Sequence, residues 1–267
     1  MDDITFNNFR KLIYDVSGIT LSEQKKALVV GRLSKRMRAL GMNNFKEYYE
    51  YVLKDKTGNE LVKLIDAIST NVTQFFREAD HFDFLRDRLI EWYESGQRKF
   101  RIWSSACSTG EEPYTIAMVA LEALPRPDID IKILATDIST RVLEHCKKGE
   151  YYYHKLDNVP KYLLTKYFTK RKEGDEYIYM VNDKLKRIVK FARLNLKNTP
   201  YPMRGPFDVI FCRNVMIYFD VNVRSSLISE LYRLLRSGGY LFTGHSESIT
   251  SYQDKFKIVK PSIYYKP

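Results

Sequence analysis

The sequence predicts an α/β fold: an open sheet of mainly parallel strands covered by helices, preceded by an all-helical domain and interrupted by a small antiparallel β insertion. Three observations carry this. From Asp3 to about Ser69 apolar residues recur at helical spacing, with breaks at Gly18, Gly41 and Thr57–Gly58. From about Phe100 onward the segments RIWSSAC, IKILATD, FDVIFC and YLFTGHS read as short apolar strands separated by helical stretches, the alternation of a parallel sheet. Between Gly149 and about Phe191 a Tyr- and Lys-rich stretch breaks that rhythm, and EYIYMVN followed by IVKFARLNL reads as a pair of strands around a charged turn. The expected boundaries are a helical domain over 1–70, a helical connection over 71–92, and a sheet domain over 93–267 with the β insertion at about 149–191.

Composition fits a globular chain. Hydrophobic residues make up 44% of the 267, with only 12 Gly and 9 Pro, which excludes fibrous and disordered classes. The net charge of +11 points to an anionic partner, whether nucleic acid, acidic protein or a membrane face. Three scattered cysteines, Cys107, Cys146 and Cys212, with no C-x-x-C pair and no nearby His cluster, argue against a disulfide framework or a metal site. The N-terminus, MDDITFNNF, lacks the basic and apolar regions of a signal peptide, and no apolar run is long enough to span a bilayer, so a cytoplasmic address is expected.

Four stretches carry candidate chemistry. The first expected strand ends in small residues, SSACSTGEEP, and runs into the helical YTIAMVALEAL; this is a loop through which backbone approaches a ligand, with Pro113 suited to the helix's first turn. With one glycine it is also an ordinary strand-turn-helix. Asp137 ends the next strand, where a carboxylate accepts hydrogen bonds from both hydroxyls of a ribose, or else caps the helix after Ser139. In FDVIFCRNVMIYF, Arg213, Asn214 and Tyr218 follow a strand's C-terminal end, the ligand face of such sheets, though Asn214 also suits a helix cap. In NVTQFFRE, a helix would put Thr73 and Arg77 on one face, with a solvated Arg77 as the alternative. The tetrapeptide Asn198-Thr199-Pro200-Tyr201 imitates the N-P-P-Y signature of enzymes that methylate base amino groups, but it precedes a strand instead of following one and reads as a turn.

Taken in order, NVTQFFRE, SSACSTGEEPY, ATDI, ARLNL, FDVIFCRNVMIYF and GGYLFTGHSES resemble the chemotaxis receptor methyltransferase (CheR) family over nearly the whole chain. The resemblance implies a class I, Rossmann-like S-adenosylmethionine-dependent methyltransferase domain behind the helical domain, forming glutamate methyl esters on receptors with no metal. It implies cofactor contacts from Asn71, Thr73 and Arg77, and a methionine amino group held by Glu112, or by Glu111 if the register is off by one. It places Asp137 on the ribose, Asn195 and Leu196 beside the adenine, and Arg213 and Asn214 around the pocket. Arg77 and Tyr218 fall nearest the transferring methyl, as the catalytic pair. On the helix around QKKALVVGRLSKRMRAL, 100° spacing puts Lys25, Arg32 and Arg36 in one sector and Val30, Leu33, Met37 and Leu40 in another. The apolar sector belongs to the core. The basic one is an ordinary solvated face or, on the resemblance, a dock for the acidic, glutamate-bearing helices of a receptor. A monomer is expected. The competing classes are a nucleic-acid methyltransferase, favoured by charge, and an adaptor that keeps the cofactor fold without turnover.

Overall fold

The computed structural model describes residues 1–252 and 254–267. Four helices form the N-terminal domain: α1 (Asp3–Ser17), α2 (Lys26–Ala39), α3 (Phe45–Lys54) and α4 (Asn59–Ile68). Their ends follow from local chemistry. The Asp2 carboxylate accepts the Thr5 N–H at 2.8 Å and caps α1, and Asn44 caps α3 in the same way. Phe9 and Ile13 of α1, Leu33 and Met37 of α2, Tyr48 of α3 and Leu64 of α4 meet in one core.

The basic sector expected on α2 is not a free face. Lys25 lies before the helix, in a 3-10 turn (Glu23–Lys25). Arg32 donates to the carbonyls of Ile68 and Ser69 and to Thr70 Oγ1, so it caps the C-terminal end of α4. Arg36 grips buried Glu60 with two hydrogen bonds, Nε to Oε1 at 2.8 Å and Nη2 to Oε2 at 2.5 Å, and Tyr48 adds a third at 2.9 Å. A carboxylate inside a helical core needs a cation, and Arg36 supplies it. Arg32 and Arg36, expected on one basic sector with Lys25, thus both have partners inside the protein.

The connection over 71–92 is also corrected. Residues 71–78 are irregular and the helix, α5 (Ala79–Glu94), begins only afterwards. Phe76 and Glu78 adopt left-handed backbone, φ 55° and 57°, which no α-helix tolerates. Buried Phe75 and the bond from Phe76 N–H to Thr115 Oγ1 pin the segment instead. Thr73 and Arg77 thus share no helix face.

The sheet domain follows in order: β1 (Lys99–Ser104), α6 (Glu111–Ala123), β2 (Asp130–Asp137), α7 (Thr140–Lys148) and β3 (Glu150–Tyr152). Next come α8 (Lys161–Tyr167), β4 (Phe168–Glu173), β5 (Glu176–Val181), α9 (Asp183–Ile188) and β6 (Val189–Arg193). The last elements are β7 (Phe207–Cys212), α10 (Val221–Leu234), β8 (Leu235–Thr243), β9 (Lys257–Lys260) and β10 (Ile263–Tyr265). Seven strands run β6-β2-β1-β7-β8-β10-β9; the first five are parallel and β10 is antiparallel to both its neighbours. Alternation along the strands sends Ile102, Phe211 and Phe242 to the face covered by α5 and α6, and Trp103, Ile210 and Leu241 to the face covered by α10.

The insertion is a three-stranded antiparallel sheet, β3-β5-β4. The expected partner of EYIYMVN was the IVKFARLNL segment; its partners are β3 and the lysine-rich FTKRKE, while the IVKFARLNL segment supplies β6, parallel to β2 at the edge of the large sheet. The physical reason lies in α9, which turns the chain back before it can form a hairpin. The β insertion therefore closes at Val181, about ten residues earlier than expected.

Removing the Arg36 side chain leaves Glu60 buried with Tyr48 alone. Since Arg36 is itself 28% exposed, Arg36→Ala should lower the unfolding free energy by about 2 kcal/mol, below the range for breaking a fully buried pair. Urea denaturation measures this; unchanged stability would return Arg36 to the surface role the sequence suggested.

Candidate functional site

Strand order reverses between β1 and β7, and the crevice at that switch point is where open α/β sheets bind ligands. Here it is a cavity of about 1210 Å³, mouth included. Ser105, Ala106 and Ser108 beyond β1, Asp137 at the end of β2, Leu194–Leu196 beyond β6 and Arg213 beyond β7 form its floor. Residues 68–74, Arg77 and Arg32 form its roof, together with the Ser17–Leu21 chain that leaves α1.

One buried guanidinium organises the floor. Arg213, whose side chain is 2% exposed, donates to Glu78 Oε2 from Nε (3.2 Å) and Nη2 (2.9 Å), to Glu112 Oε2 from Nη1 (2.9 Å), and to the carbonyl of Arg77. It also lies over the Phe82 ring at 5.5 Å. Burial pushes the Glu78 carboxyl up, but the Arg213 charge and hydrogen bonds outweigh it and hold the group below its ordinary range. Glu112, more deeply desolvated, stays raised despite Arg213 and the 2.7 Å bond from Ser104 Oγ. Two carboxylates share one cation, so the cavity wall at Glu112 is short of positive charge.

Asp137 is buried, 8% exposed, and accepts the N–H groups of Ser108 and Ser139, both at 2.9 Å. Burial raises its carboxyl to about 6 even so. Ser139, not Asp137, caps α7. The loop between β1 and α6 is fixed by the insertion: Tyr151 donates its phenol to the Thr109 carbonyl at 2.8 Å. At Gly110, φ 99°, a Cβ would lie 2.6 Å from that phenol oxygen, so only glycine fits.

Beyond β7 the chain turns through Asn214–Tyr218 around a carboxylate that sequence reasoning did not single out. Buried Glu247 accepts the N–H groups of Asn214 (2.6 Å) and Gly244 (2.8 Å) on Oε2, and those of Met216 (2.7 Å) and Ile217 (3.3 Å) on Oε1. Such an anionic nest fixes Asn214 in its left-handed conformation, φ 57°, and sets Tyr218 at the cavity mouth. Gly244 is required beside it, since a Cβ there would lie 2.3 Å from Asn214 Nδ2. The motif GHSES held the signal, but nothing in its spacing says that a carboxylate would collect backbone donors.

The structure brings Asn71, Thr73, Arg77, Glu112, Asp137, Asn195, Leu196, Arg213, Asn214 and Tyr218 around this one cavity, with Lys25 and Arg32 at its roof and Arg36 elsewhere. Glu112 faces the cavity; Glu111 is buried with its carboxylate on Thr109 Oγ1. Asn195 borders the cavity, but its amide is spent on linking the domains, Nδ2 to the Val16 carbonyl at 2.6 Å. Arg77 is held only by Nη1 to the Val72 carbonyl at 3.1 Å. Glu78 was quoted within NVTQFFRE without a role and proves to be a partner of Arg213. Glu78, His81 and His245 form the one group of three possible metal ligands among the described residues, and its carboxylate is already engaged by Arg213.

An α/β domain with a carboxylate at the end of its second strand, another at the head of its first crossover helix and a cavity between them belongs to the nucleoside-cofactor class. Comparison with known proteins makes this specific. Residues 71–265 match the family model described as CheR methyltransferase, SAM binding domain, and residues 4–69 the one described as CheR methyltransferase, all-alpha domain. The chain is 42% identical over 264 residues to a chemotaxis protein methyltransferase of Borreliella burgdorferi, covering 96% of this chain and 92% of that protein. It is 38% identical to the protein of the same description from Escherichia coli, covering 99% and 91%. The chain belongs to the CheR methyltransferase family.

The residues present fit S-adenosylmethionine. Asn71 Nδ2, Ser105 Oγ and Ser108 Oγ, all on lining residues, find no partner among the described residues. Glu112 suits the ammonium of the methionine part, and Asp137 suits two ribose hydroxyls.

Two outcomes follow. For Asp137 the sign is that of a raised carboxyl: its ionised form is disfavoured in the ligand-free fold, by about 3 kcal/mol at 1.36 kcal/mol per unit, a destabilisation absent below pH ~4 and complete above ~6. Hydroxyl donors reward the ionised form, so the Kd for S-adenosylhomocysteine should rise up to about tenfold per unit as pH falls below ~6. Calorimetry between pH 5 and 7.5 reads this, and an equally pH-dependent Asp137→Asn variant would assign the effect to another group. Glu247→Gln should reduce stability by about 2 kcal/mol, by leaving backbone donors poorly matched, and lower kcat more than cofactor affinity.

Proposed function

We propose that the chain transfers a methyl group from S-adenosylmethionine to glutamate side-chain carboxylates of chemotaxis receptors, forming the methyl esters used in sensory adaptation. The observation that carries this reading is the division of charge across the cavity: acidic at Glu112 and Asp137, and lined at the roof and mouth by Lys25, Arg32, Arg77 and the Tyr218 phenol. A cationic cofactor suits the first end and an anionic acceptor the second. The near full-length relatives described as chemotaxis protein methyltransferases point to receptors as the acceptors. On this reading the enzyme acts as a cytoplasmic monomer and reaches the membrane only through those receptors.

The cofactor supplies, when bound, a methyl group on a sulfonium, activated for displacement. The protein's part is positional. A glutamate side chain, with an ordinary pKa near 4.3, is already ionised at neutral pH, so its attack needs no general base. Opposite charges disappear as the bond forms, so the site gains most by aligning and partly desolvating the two groups. Arg77, held by a single bond to Val72, orients the carboxylate without gripping it through both oxygens, which would blunt the nucleophile. Tyr218, fixed through its turn by Glu247, bounds the space beside it.

Transfer of labelled methyl to receptor-containing membranes, followed by alkali, tests this. Esters release volatile methanol, whereas methylated amines and bases do not. Base-labile label on receptors is expected, reduced on the order of 100-fold in Arg77→Ala with S-adenosylhomocysteine still bound. Stable label on added RNA or DNA, and none on receptors, would sink the reading.

A further inference from the structure

Where the acceptor helix docks is an inference that rests on that reading. The cavity mouth opens into a trough between α1 and the turn at Ile217–Tyr218, of about 1450 Å³. That volume includes the open mouth, and the trough lies along α1 as a shallow groove. Thr20, Leu21, Lys25 and Tyr218 line both trough and cavity, so the two are continuous.

The wall supplied by α1 is a single stripe. Asn7, Arg10, Lys11 and Tyr14 stand at i, i+3, i+4 and i+7, and all four face the trough. Arg10 is splinted by Asn7 Oδ1 at 3.0 Å, and its nearest carboxylate, Glu23, is 3.9 Å away on a side chain 87% exposed. Lys11 and Lys25 are exposed, with no ion pair among the described residues. Tyr14 is fixed by donating to Asp220 Oδ2 at 2.5 Å, which rivets α1 to the far wall. On that wall Ile217 is 50% exposed, an apolar side chain beside Tyr218.

We propose that this trough is the docking surface for the acidic acceptor helix. Arg10, Lys11 and Lys25 take its carboxylates, Ile217 packs on its apolar side, and one glutamate enters the mouth between Tyr218 and Arg77. The surface shares only Lys25 with the one the sequence suggested: on α2, Arg32 and Arg36 have partners inside the protein, whereas the α1 stripe is cationic and contiguous with the site. The partner is an acidic amphipathic helix because three cations line a trough that runs along α1 with an apolar residue across from them.

The experiment uses the full chain with Arg10→Glu and Lys11→Glu combined, Ile217→Asp separately, and Arg38→Glu, exposed near the end of α2, as a control. Methyl transfer to receptor membranes is measured against receptor concentration, and S-adenosylhomocysteine binding by calorimetry. The double reversal should raise KM for the receptor about tenfold at low salt with kcat and cofactor affinity within twofold. The ratio should shrink at about 0.5 M salt, where screening acts within roughly 5 Å. Ile217→Asp should raise KM at both salts, and Arg38→Glu should change little. Wild-type enzyme that labels no receptor defeats the acceptor assignment itself. Wild-type labelling with KM unchanged in the double variant defeats the trough alone, as does a KM that responds to Arg38→Glu only. Sedimentation showing a dimer that the double variant dissolves would assign the trough to a second copy and overturn the proposal.

Discussion

A guanidinium with almost no contact with water, bound to carboxylates from two distant parts of the chain, decides how this molecule is put together. Arg213 follows the central strand β7, Glu112 opens the helix after β1, and Glu78 belongs to the junction with the helical domain. Desolvating three charges is unfavourable unless each finds its partners, so the junction must present Glu78 and the Arg77 carbonyl together. It does so through left-handed backbone at Phe76 and Glu78, conformations that cost about 1–3 kcal/mol each and persist only where the surroundings fix them. The strain at the junction and the ion network on the floor are two sides of one arrangement. Its electrostatic remainder, a carboxylate at Glu112 with too little positive charge around it, is what a cationic ligand completes.

The same economy joins the two domains. Lys197 donates to the Tyr14 carbonyl at 2.8 Å, Asn195 to that of Val16, and Thr20 N–H to that of Tyr218 at 2.8 Å, while Ile19 bridges Phe219. Most of these bonds satisfy the last carbonyls of α1 or the chain just beyond it, groups a helix end leaves without partners. The helical domain is thereby held against the turn that carries Tyr218, and its α1 lies alongside the cavity mouth. A domain attached at that place shapes access to the site, and the remaining polar atoms of the roof, Arg77 above all, stay available to a substrate.

The large sheet was legible because its signals are local: apolar β-branched runs, small residues at the end of β1 and an Asp at the end of β2 each follow from backbone period or strand-end chemistry. What escaped depended on tertiary partners. NVTQFFRE has the composition of a short helix, and only the demand of Arg213 for Glu78 explains why it is not one. The IVKFARLNL segment reads as a strand, correctly, but strand character does not name the neighbour. Arg32 and Arg36 share a helical sector with Lys25, yet the sector is called exposed only if no carbonyls or carboxylates wait opposite it, and α4 provides both. Glu247 and the Asn7–Tyr14 stripe were missed for opposite reasons. The first is one acidic residue in a polar motif, and the second is an exposed face of the kind that charged helices usually present to water.

On the proposed reading, methyl transfer to a glutamate carboxylate, the position of the basic residues meets a requirement of the chemistry. Carboxylate and sulfonium attract each other, so a site that simply concentrated charge would bind its substrates without hastening their reaction. Here the cations of α1 stand outside the cavity, where on the proposed reading they act on the acceptor as a whole and on its rate of arrival. Within the cavity the only basic side chains lining it are Arg77, Arg32, Lys25 and Arg213. Arg213 is neutralised by two carboxylates, and Arg32 is turned to the end of α4. With Lys25 at the mouth, shared with the trough, Arg77 is the inner cation set to meet a reacting carboxylate, with one bond of its own and a backbone carbonyl fixed by Arg213. Attraction is thus spread along the trough while contact at the reacting atoms is sparing, the division that lets a charged nucleophile be held in place and still react.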